Sequence, residues 1–163
     1  MVAGAVRVMV SASRGALATA LPPGKHTHGQ GSPLIPFRVV DDAITAPLKD
    51  RPGDATRGRA VALNLSTGAL NRSTGNCVTG DELPLQADFQ GTLGPPLAGV
   101  GERCQPGDLR LRIVDGKRIN PDSNMPSYHR MSNLNAVRAD WVGRPILTPQ
   151  EVEDVLAHLM TLR

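Results

Sequence analysis

The sequence ends in a segment that is typical of an amphipathic helix and of little else. Thr148-Pro149-Gln150-Glu151 is a capping box with proline at the first helical position. The apolar residues that follow recur at i, i+3, i+4 and i+7, namely Val152, Val155, Leu156 and Leu159. A helix with one apolar face buries that face against other elements. We therefore predict a helical domain whose core includes this terminal helix.

A first helix is predicted near the start of the same domain. Asp54 follows Pro52-Gly53 and suits the N-cap position of a helix that runs through Gly58 to about Leu63. The next stretch is a seven-residue duplication, because residues 63–69 are nearly copied by residues 70–76. Repeats of this length are too short to build a solenoid. We interpret the duplication as an insertion just before Cys77.

A middle helix is predicted from Pro106. The run from Leu109 to Val114 alternates in a way that also suits a strand. Proline at the first helical position and Asp108 in the first turn favour a helix instead. Its Arg110 and Arg112 could face a cofactor or a partner, but a solvated helix face is the interpretation we favour. The Gly- and Pro-rich residues 89–101 before this helix are predicted to form an ordered loop.

Aromatic residues, which usually fill much of a core, are scarce in this chain. The whole supply is Phe37, Phe89, Tyr128 and Trp141. Each buried aromatic side chain contributes a large apolar area. A domain that has so few of them is expected to fill its interior with something else, and a bound cofactor is one candidate.

Charge and cysteine content exclude several functional classes. The 18 basic and 15 acidic residues give a formal net charge of +3, which is too weak a basic excess for a nucleic-acid-binding protein. Cys77 and Cys104 provide neither a disulfide framework nor a zinc cluster, although a single bridge between them stays open. No stretch has the length needed to cross a bilayer, so we expect no membrane span.

The N-terminal residues are interpreted as a leader and a tail. Residues 1–20 are a candidate signal peptide that ends in Ala18-Thr19-Ala20, although Arg7 and Arg14 interrupt its apolar run. Residues 21–36 are predicted to be a flexible lead-in. His26 and His28 lie in it, and we favour a solvated tail over a metal-binding pair because no further ligand is near. The folded domain is then residues 37–163.

Two loops contain motifs of haem proteins. Residues 94–101, with Pro95, resemble the Gly-Pro-x-Leu-x-Gly loop of class I cytochromes c, in which the proline packs on the haem. Residues 120–128 resemble the loop of that class that carries an axial methionine, which here is Met125. The resemblance implies an all-α, class I cytochrome c-like fold.

The resemblance extends to SoxX, the monohaem cytochrome c subunit of the sulfur-oxidising Sox system. Motifs in the family's order cover roughly Pro36 to Arg163, namely 75–77, 89–95, 109–115, 120–128, 145–148 and 153–155. It implies a periplasmic electron-transfer subunit that binds haem c and pairs with a SoxA-like cytochrome in thiosulfate oxidation. Met125 would be the distal iron ligand and Pro95 would belong to the proximal-side loop. Gly58 would lie where the first and last helices cross, where His158 takes the place of an aromatic residue.

The chain departs from the family at the attachment motif. Where SoxX has Cys-x-x-Cys-His, this chain has Cys77-Val78-Thr79-Gly80-Asp81, which lacks one thiol and the proximal imidazole. Asp81 is a poor ligand for low-spin haem iron, and Cys104 lies too far along the chain to restore the motif. Covalent haem attachment is therefore doubtful, and Cys77 is either an inert thiol or the site of a single thioether. Two functions follow: an electron-transfer subunit, or a haem-free structural or relic subunit that keeps the partner-binding surface.

Overall fold

Helices make up most of the regular secondary structure in the part of the chain that the structure describes. The computed structural model describes residues 34–63, 77–85, 90–134, 137, 139 and 142–163. The helices in these ranges are α1 (Ala55–Ala62), α2 (Cys77–Gly80), α3 (Val100–Arg103), α4 (Pro106–Asp115) and α5 (Pro149–Leu159), with a 3-10 helix at Gly116–Arg118. The β-pairing described there is one isolated bridge between Val40 and Ala43. All of these residues belong to one compact unit.

Some of the predictions fall on residues outside the described ranges. They concern the candidate signal peptide, His26 and His28 in the lead-in, the duplication after Leu63, and the aromatic residues Phe89 and Trp141. They stay predictions. None of the described helices is long and apolar enough to cross a membrane.

The three longer helices begin where their capping residues predict. The Asp54 carboxylate accepts from the Arg57 amide at 2.9 Å and caps α1, which ends with Leu63 as its C-cap. Pro106 is the first residue of α4, so the helix interpretation of this run is confirmed. In α5 the Thr148 hydroxyl accepts from the Glu151 amide, and the Glu151 carboxylate accepts from the Thr148 amide at 2.7 Å. The capping box is therefore confirmed.

Helices α1 and α5 cross at Gly58. A Cβ atom at this position would overlap the backbone carbonyl group of Asp154, so only glycine lets the two helices approach this closely. Arg57 strengthens the contact with two hydrogen bonds to the Asp154 carboxylate, each 2.8 Å long. His158 is buried one turn farther along α5. The predicted crossing of the first and last helices is confirmed.

Helix α4 is fixed to α5 by a buried ion pair. The Arg110 guanidinium donates to the two carboxylate oxygens of Glu153 at 2.8 and 3.0 Å, and also to the carbonyl of Ile44. Glu153 additionally accepts from the Leu48 amide at 2.9 Å. Both arginines of this helix were predicted to lie on a solvated face. The prediction is wrong for Arg110, which is 6% exposed, and is confirmed for Arg112, which is exposed. A buried charge is tolerated here because it is paired and hydrogen-bonded.

The core consists of two clusters of different size. The main cluster joins residues 44–48, α4 and α5 with Val100, Tyr128 and Leu147. The small cluster contains Ala62, Val78 and Leu83, with Leu63 and Cys77 packed against it. The attachment segment, by which we mean residues 77–85, therefore packs on the end of α1.

Candidate functional site

The attachment segment is a short helical turn followed by an extended stretch. Helix α2 consists of Cys77–Gly80, and the Asp81 amide donates to the Cys77 carbonyl at 2.8 Å. Val78 faces the small cluster and is buried, whereas Cys77 is half-buried. The chain's two cysteines are both free thiols, so the bridge between Cys77 and Cys104 does not form. Cys104 is the C-cap of α3 and packs against the main cluster instead.

The loop that contains Pro95 lies alongside the attachment segment. Three amide groups of the loop donate to carbonyl groups of the segment at 2.8 Å, in the pairs Gly91 to Val78, Gly94 to Gly80 and Leu97 to Glu82. The structure thus brings together the two parts that the sequence assigned to the proximal side. Pro95 itself is exposed at the outer side of this loop.

Two glycines make this close approach feasible. A Cβ atom on Gly91 would overlap the Thr79 carbonyl group, and one on Gly94 would overlap the Asp81 carboxylate. Glycine is required at position 91, where the near atoms belong to a backbone, whereas the Asp81 side chain beside Gly94 can move. The Asp81 side chain therefore lies against Gly94 of the proline-containing loop.

Gln90 is a residue of this region that the sequence analysis missed. Its side-chain oxygen accepts from the Leu83 amide at 2.5 Å, and its side-chain nitrogen donates to the Leu85 carbonyl at 2.8 Å. The amide group thus bridges the far end of the attachment segment to the loop. Gln90 belongs to the motif at residues 89–95 that resembles the SoxX family, and that resemblance could have drawn attention to it. The neighbouring residues do not indicate which backbone groups its side chain contacts.

The loop that contains Met125 is anchored to the end of α4. Lys117 donates to the Ser123 carbonyl at 2.7 Å, and the Met125 amide donates to the Ser123 hydroxyl at 3.1 Å. The Met125 side chain is half-buried and packs against the main cluster. Two residues beyond it, Ser127 donates to the Asp115 carboxylate at 2.7 Å.

Tyr128 connects this loop to the attachment segment. Its amide donates to the Ile113 carbonyl at 3.1 Å, and its carbonyl accepts from the Leu147 amide at 2.8 Å. Burial raises the pKa of the Tyr128 phenol, and the charges of Cys77 and Asp81 raise it further. Because charges on Cys77 and Asp81 affect the phenol, the side chains of Tyr128, Cys77 and Asp81 lie near one another in the fold.

The pKa values of all three titratable groups in this region are raised, so their charged forms are disfavoured relative to the same groups in water. Burial, with a smaller contribution from the charge of Asp81, raises the pKa of the Cys77 thiol to about 12. Burial also raises the pKa of the Asp81 carboxyl. Desolvation disfavours a thiolate and a carboxylate alike. The Cys77 sulfur is therefore a weak nucleophile at neutral pH.

These residues do not fit a covalently attached, histidine-ligated haem c. Attachment needs two thiols and an adjacent imidazole, and the segment supplies one protonated thiol and the Asp81 carboxyl. The described histidines lie elsewhere: His129 is fixed by its Nδ1, which donates to the Leu147 carbonyl at 2.8 Å, and His158 belongs to α5. Across the described ranges, no three His, Cys, Asp or Glu side chains are grouped to hold a metal ion. The assignment of Met125 as the distal ligand stays a prediction.

Comparison with known proteins supports a SoxX-like fold. No protein-family model matches the chain, and no curated protein matches it in sequence. Among solved structures, the chain is similar to the crystal structure of SoxXA from P. pantotrophus, with 29% identity and a TM-score of 0.64. The match covers 77% of this chain and 93% of that chain. The similarity suggests a cytochrome c-like electron-transfer role.

Proposed function

We propose that this chain is a SoxX-like subunit that pairs with a SoxA-like cytochrome in thiosulfate oxidation in the periplasm. The similarity to SoxXA, which spans 93% of the matched chain, carries the proposal. Two contacts support it: α1 and α5 cross at Gly58, and the loop that contains Pro95 lies beside the attachment segment. An electron-transfer role would require haem c with Met125 as its distal ligand, and residues 77–81 lack the second thiol and the imidazole that its attachment needs.

A second function, a haem-free subunit that keeps only the partner-binding surface, is favoured by two observations. The Asp81 side chain lies against Gly94 of the loop that contains Pro95, and the Cys77 thiol is held protonated. Neither group replaces the imidazole and second thiol that haem attachment needs. The two functions share a partner and differ in whether the chain carries haem.

One expression experiment tests the partner and the haem separately. The chain is co-expressed with a SoxA-like cytochrome of the same organism and a cytochrome c maturation system. Purification through a tag on this chain is expected to recover the SoxA-like partner in equal amount. Failure to recover a correctly matured partner contradicts the SoxX-like assignment.

The haem is then measured on the denatured chain by its absorption spectrum and by intact mass. We expect little or no covalent haem on the native sequence, and a stoichiometric adduct on Cys77 would contradict that. The double variant Gly80→Cys, Asp81→His is the matched control, because it restores Cys-x-x-Cys-His. A Cβ at Gly80 meets no described atom within 4 Å, so the added thiol has room. The variant is expected to gain covalent haem under the same conditions.

A further inference from the structure

His158 is a buried histidine at the crossing of α1 and α5. Its exposed fraction is 5%, and it follows Asp154, whose backbone meets Gly58 of α1, by one helical turn. Residues four positions apart lie on the same face of a helix. Arg59 of α1 is near enough for its charge to act on the imidazole. The His158 ring therefore belongs to the contact between the two helices.

The imidazole of His158 has a nitrogen atom that nothing in the described part of the chain engages. Its Nε2 is buried and has no hydrogen-bond partner there. Protonation puts an N–H group on both ring nitrogens, so it adds a buried positive charge together with a donor that has no acceptor. Burying an unpaired charge costs more than burying the neutral ring. Protonation of His158 therefore acts against the packed state of the two helices.

The charged groups around the ring do not offset this cost. Burial lowers the pKa of His158, and the positive charge of Arg59 lowers it further. The carboxylates on α5 and at its end are already engaged: Glu151 with the Thr148 amide, Glu153 with Arg110 of α4, Asp154 with Arg57 of α1, and Glu102 of α3 with Arg163. A protonated His158 would thus have to compete with an arginine or a backbone amide for a counter-charge.

Helix α1 also connects this crossing to the attachment segment. Ala62, the last residue of α1, is fully buried and packs with Val78 and Leu83 of that segment. Among the described helices, α5 is the one that α1 contacts most extensively. Separation of α1 from α5 would therefore remove part of the packing that holds residues 77–85.

We propose that His158 makes the crossing of α1 and α5 sensitive to acid, so that protonation of its ring releases α1 and loosens the attachment segment. Above the ordinary pKa of histidine, about 6.5, the ring is neutral in the folded and the unfolded state, and the crossing is intact. Below that value the unfolded chain binds a proton that the buried ring does not accept. The stabilisation is then lost progressively as the pH falls towards the lowered pKa of the folded state. This response is independent of any haem.

Hydrogen exchange of the full chain at pH 7 and pH 5, followed by mass spectrometry, measures the release. The protection factor corrects for the effect of pH on the intrinsic exchange rate. We expect it to fall about 10-fold in α1 and in residues 77–85, within the limit of tenfold per pH unit that one proton sets, and less than about 2-fold in α4. Unchanged protection of α1, or equal falls in α1 and α4, would overturn the proposal.

A phenylalanine at position 158 removes the titrating group. His158→Phe keeps a flat ring that cannot be protonated, so the acid-induced fall in α1 protection is expected to disappear. His129, which is also buried, stays in both chains, so its own titration does not contribute to the difference. If His158→Phe retained the pH dependence of the native chain, another group would be responsible and the proposal would fail.

Two arginine variants give a test that leaves the buried ring in place. Arg59→Gln removes the positive charge near His158, which makes protonation of the folded state easier, so the fall in α1 protection is expected to shrink about 2-fold. Arg112→Gln removes a comparable charge from α4 and is expected to leave the fall unchanged. Both positions are exposed, so the chain should stay folded. Equal effects of the two substitutions would contradict a titrating ring beside Arg59.

Discussion

Two regions of this molecule differ in how their parts are held together: one uses buried ion pairs between side chains, and the other uses hydrogen bonds between backbone groups. In the helical framework, by which we mean α1, α4 and α5, charged side chains are buried as ion pairs, as in Arg110 with Glu153. In the attachment segment and its loop, backbone hydrogen bonds join the two parts, and the half-buried side chains of Cys77 and Asp81 have raised pKa values, which disfavour their charged forms. Among the described residues, none of the framework's ion pairs reaches the attachment segment. The contacts of the framework therefore do not depend on a second cysteine or a histidine in that segment.

Breaking the ion pair should have the largest effect on the framework. Arg110→Leu leaves the Glu153 carboxylate buried and is expected to lower the free energy of unfolding by about 3–5 kcal/mol. Urea denaturation followed by circular dichroism measures the change. The double variant Arg110→Leu, Glu153→Leu is the control, and we expect it to regain most of the loss because no unpaired charge is left. A single variant as stable as the native chain contradicts the pairing.

The thiol of Cys77 in the attachment segment should be alkylated more slowly than the thiol of an unstructured peptide. With a pKa of about 12, Cys77 is expected to react with iodoacetamide at pH 7.5 at least about 100-fold more slowly than an unstructured cysteine peptide. Peptide mapping by mass spectrometry follows the reaction, with the peptide in the same tube. The difference should disappear in 6 M guanidinium chloride. Rapid alkylation of the native chain would show that burial does not protect Cys77.

Two glycine substitutions compare the regions directly. Gly58→Ala places a Cβ against the Asp154 carbonyl and is expected to cost about 2 kcal/mol, despite the gain in helix propensity. Gly80→Ala meets no described atom within 4 Å and should be neutral or slightly stabilising. Thermal unfolding of both variants gives the comparison. Equal losses would mean that α1 and α5 are not in close contact at Gly58.

Asp154, which is buried, and Asp81, which is partly buried, are expected to change stability with pH in opposite directions, and these are the smallest expected effects. Burial raises the pKa of the Asp154 carboxyl, but the hydrogen bonds from Arg57, Gln150 and the Asp54 amide, together with the charge of Arg57, outweigh burial and hold that pKa low. Its ionised form stabilises the fold above the unfolded pKa, and that contribution disappears as the pH falls. Burial raises the pKa of Asp81, so its ionised form destabilises the fold at neutral pH.

Replacing each aspartate by asparagine tests whether its ionised carboxylate stabilises or destabilises the fold. Asp154→Asn should lower the free energy of unfolding at pH 7, whereas Asp81→Asn should raise it. Both differences should diminish at a pH at which the carboxyl groups are protonated in the folded and unfolded states alike. Stability is measured by urea titration at several pH values. Changes of the same sign at pH 7 would contradict the contrast between the regions.

Local patterns predicted the helices better than the contacts between them. Asp54, Pro106 and Thr148 mark helix starts because capping is decided by neighbours within four residues. The partner of Arg110 is Glu153, which lies 43 positions away, so the alternating run around Arg110 could not reveal it. The position of the loop with Pro95 against the attachment segment followed from the family resemblance and not from propensity.

The small core cluster bears on how many residues the stretch between Leu63 and Cys77 can contain. Leu63 and Cys77 both pack against Ala62, Val78 and Leu83, so the two ends of the duplicated stretch are held at one place in the fold. The free energy of closing a loop between fixed ends changes by only about 0.6 kcal/mol when its length doubles. A seven-residue copy can therefore be gained or lost between these anchors at little cost. Insertions and deletions of coding sequence at this point are changes that the framework tolerates.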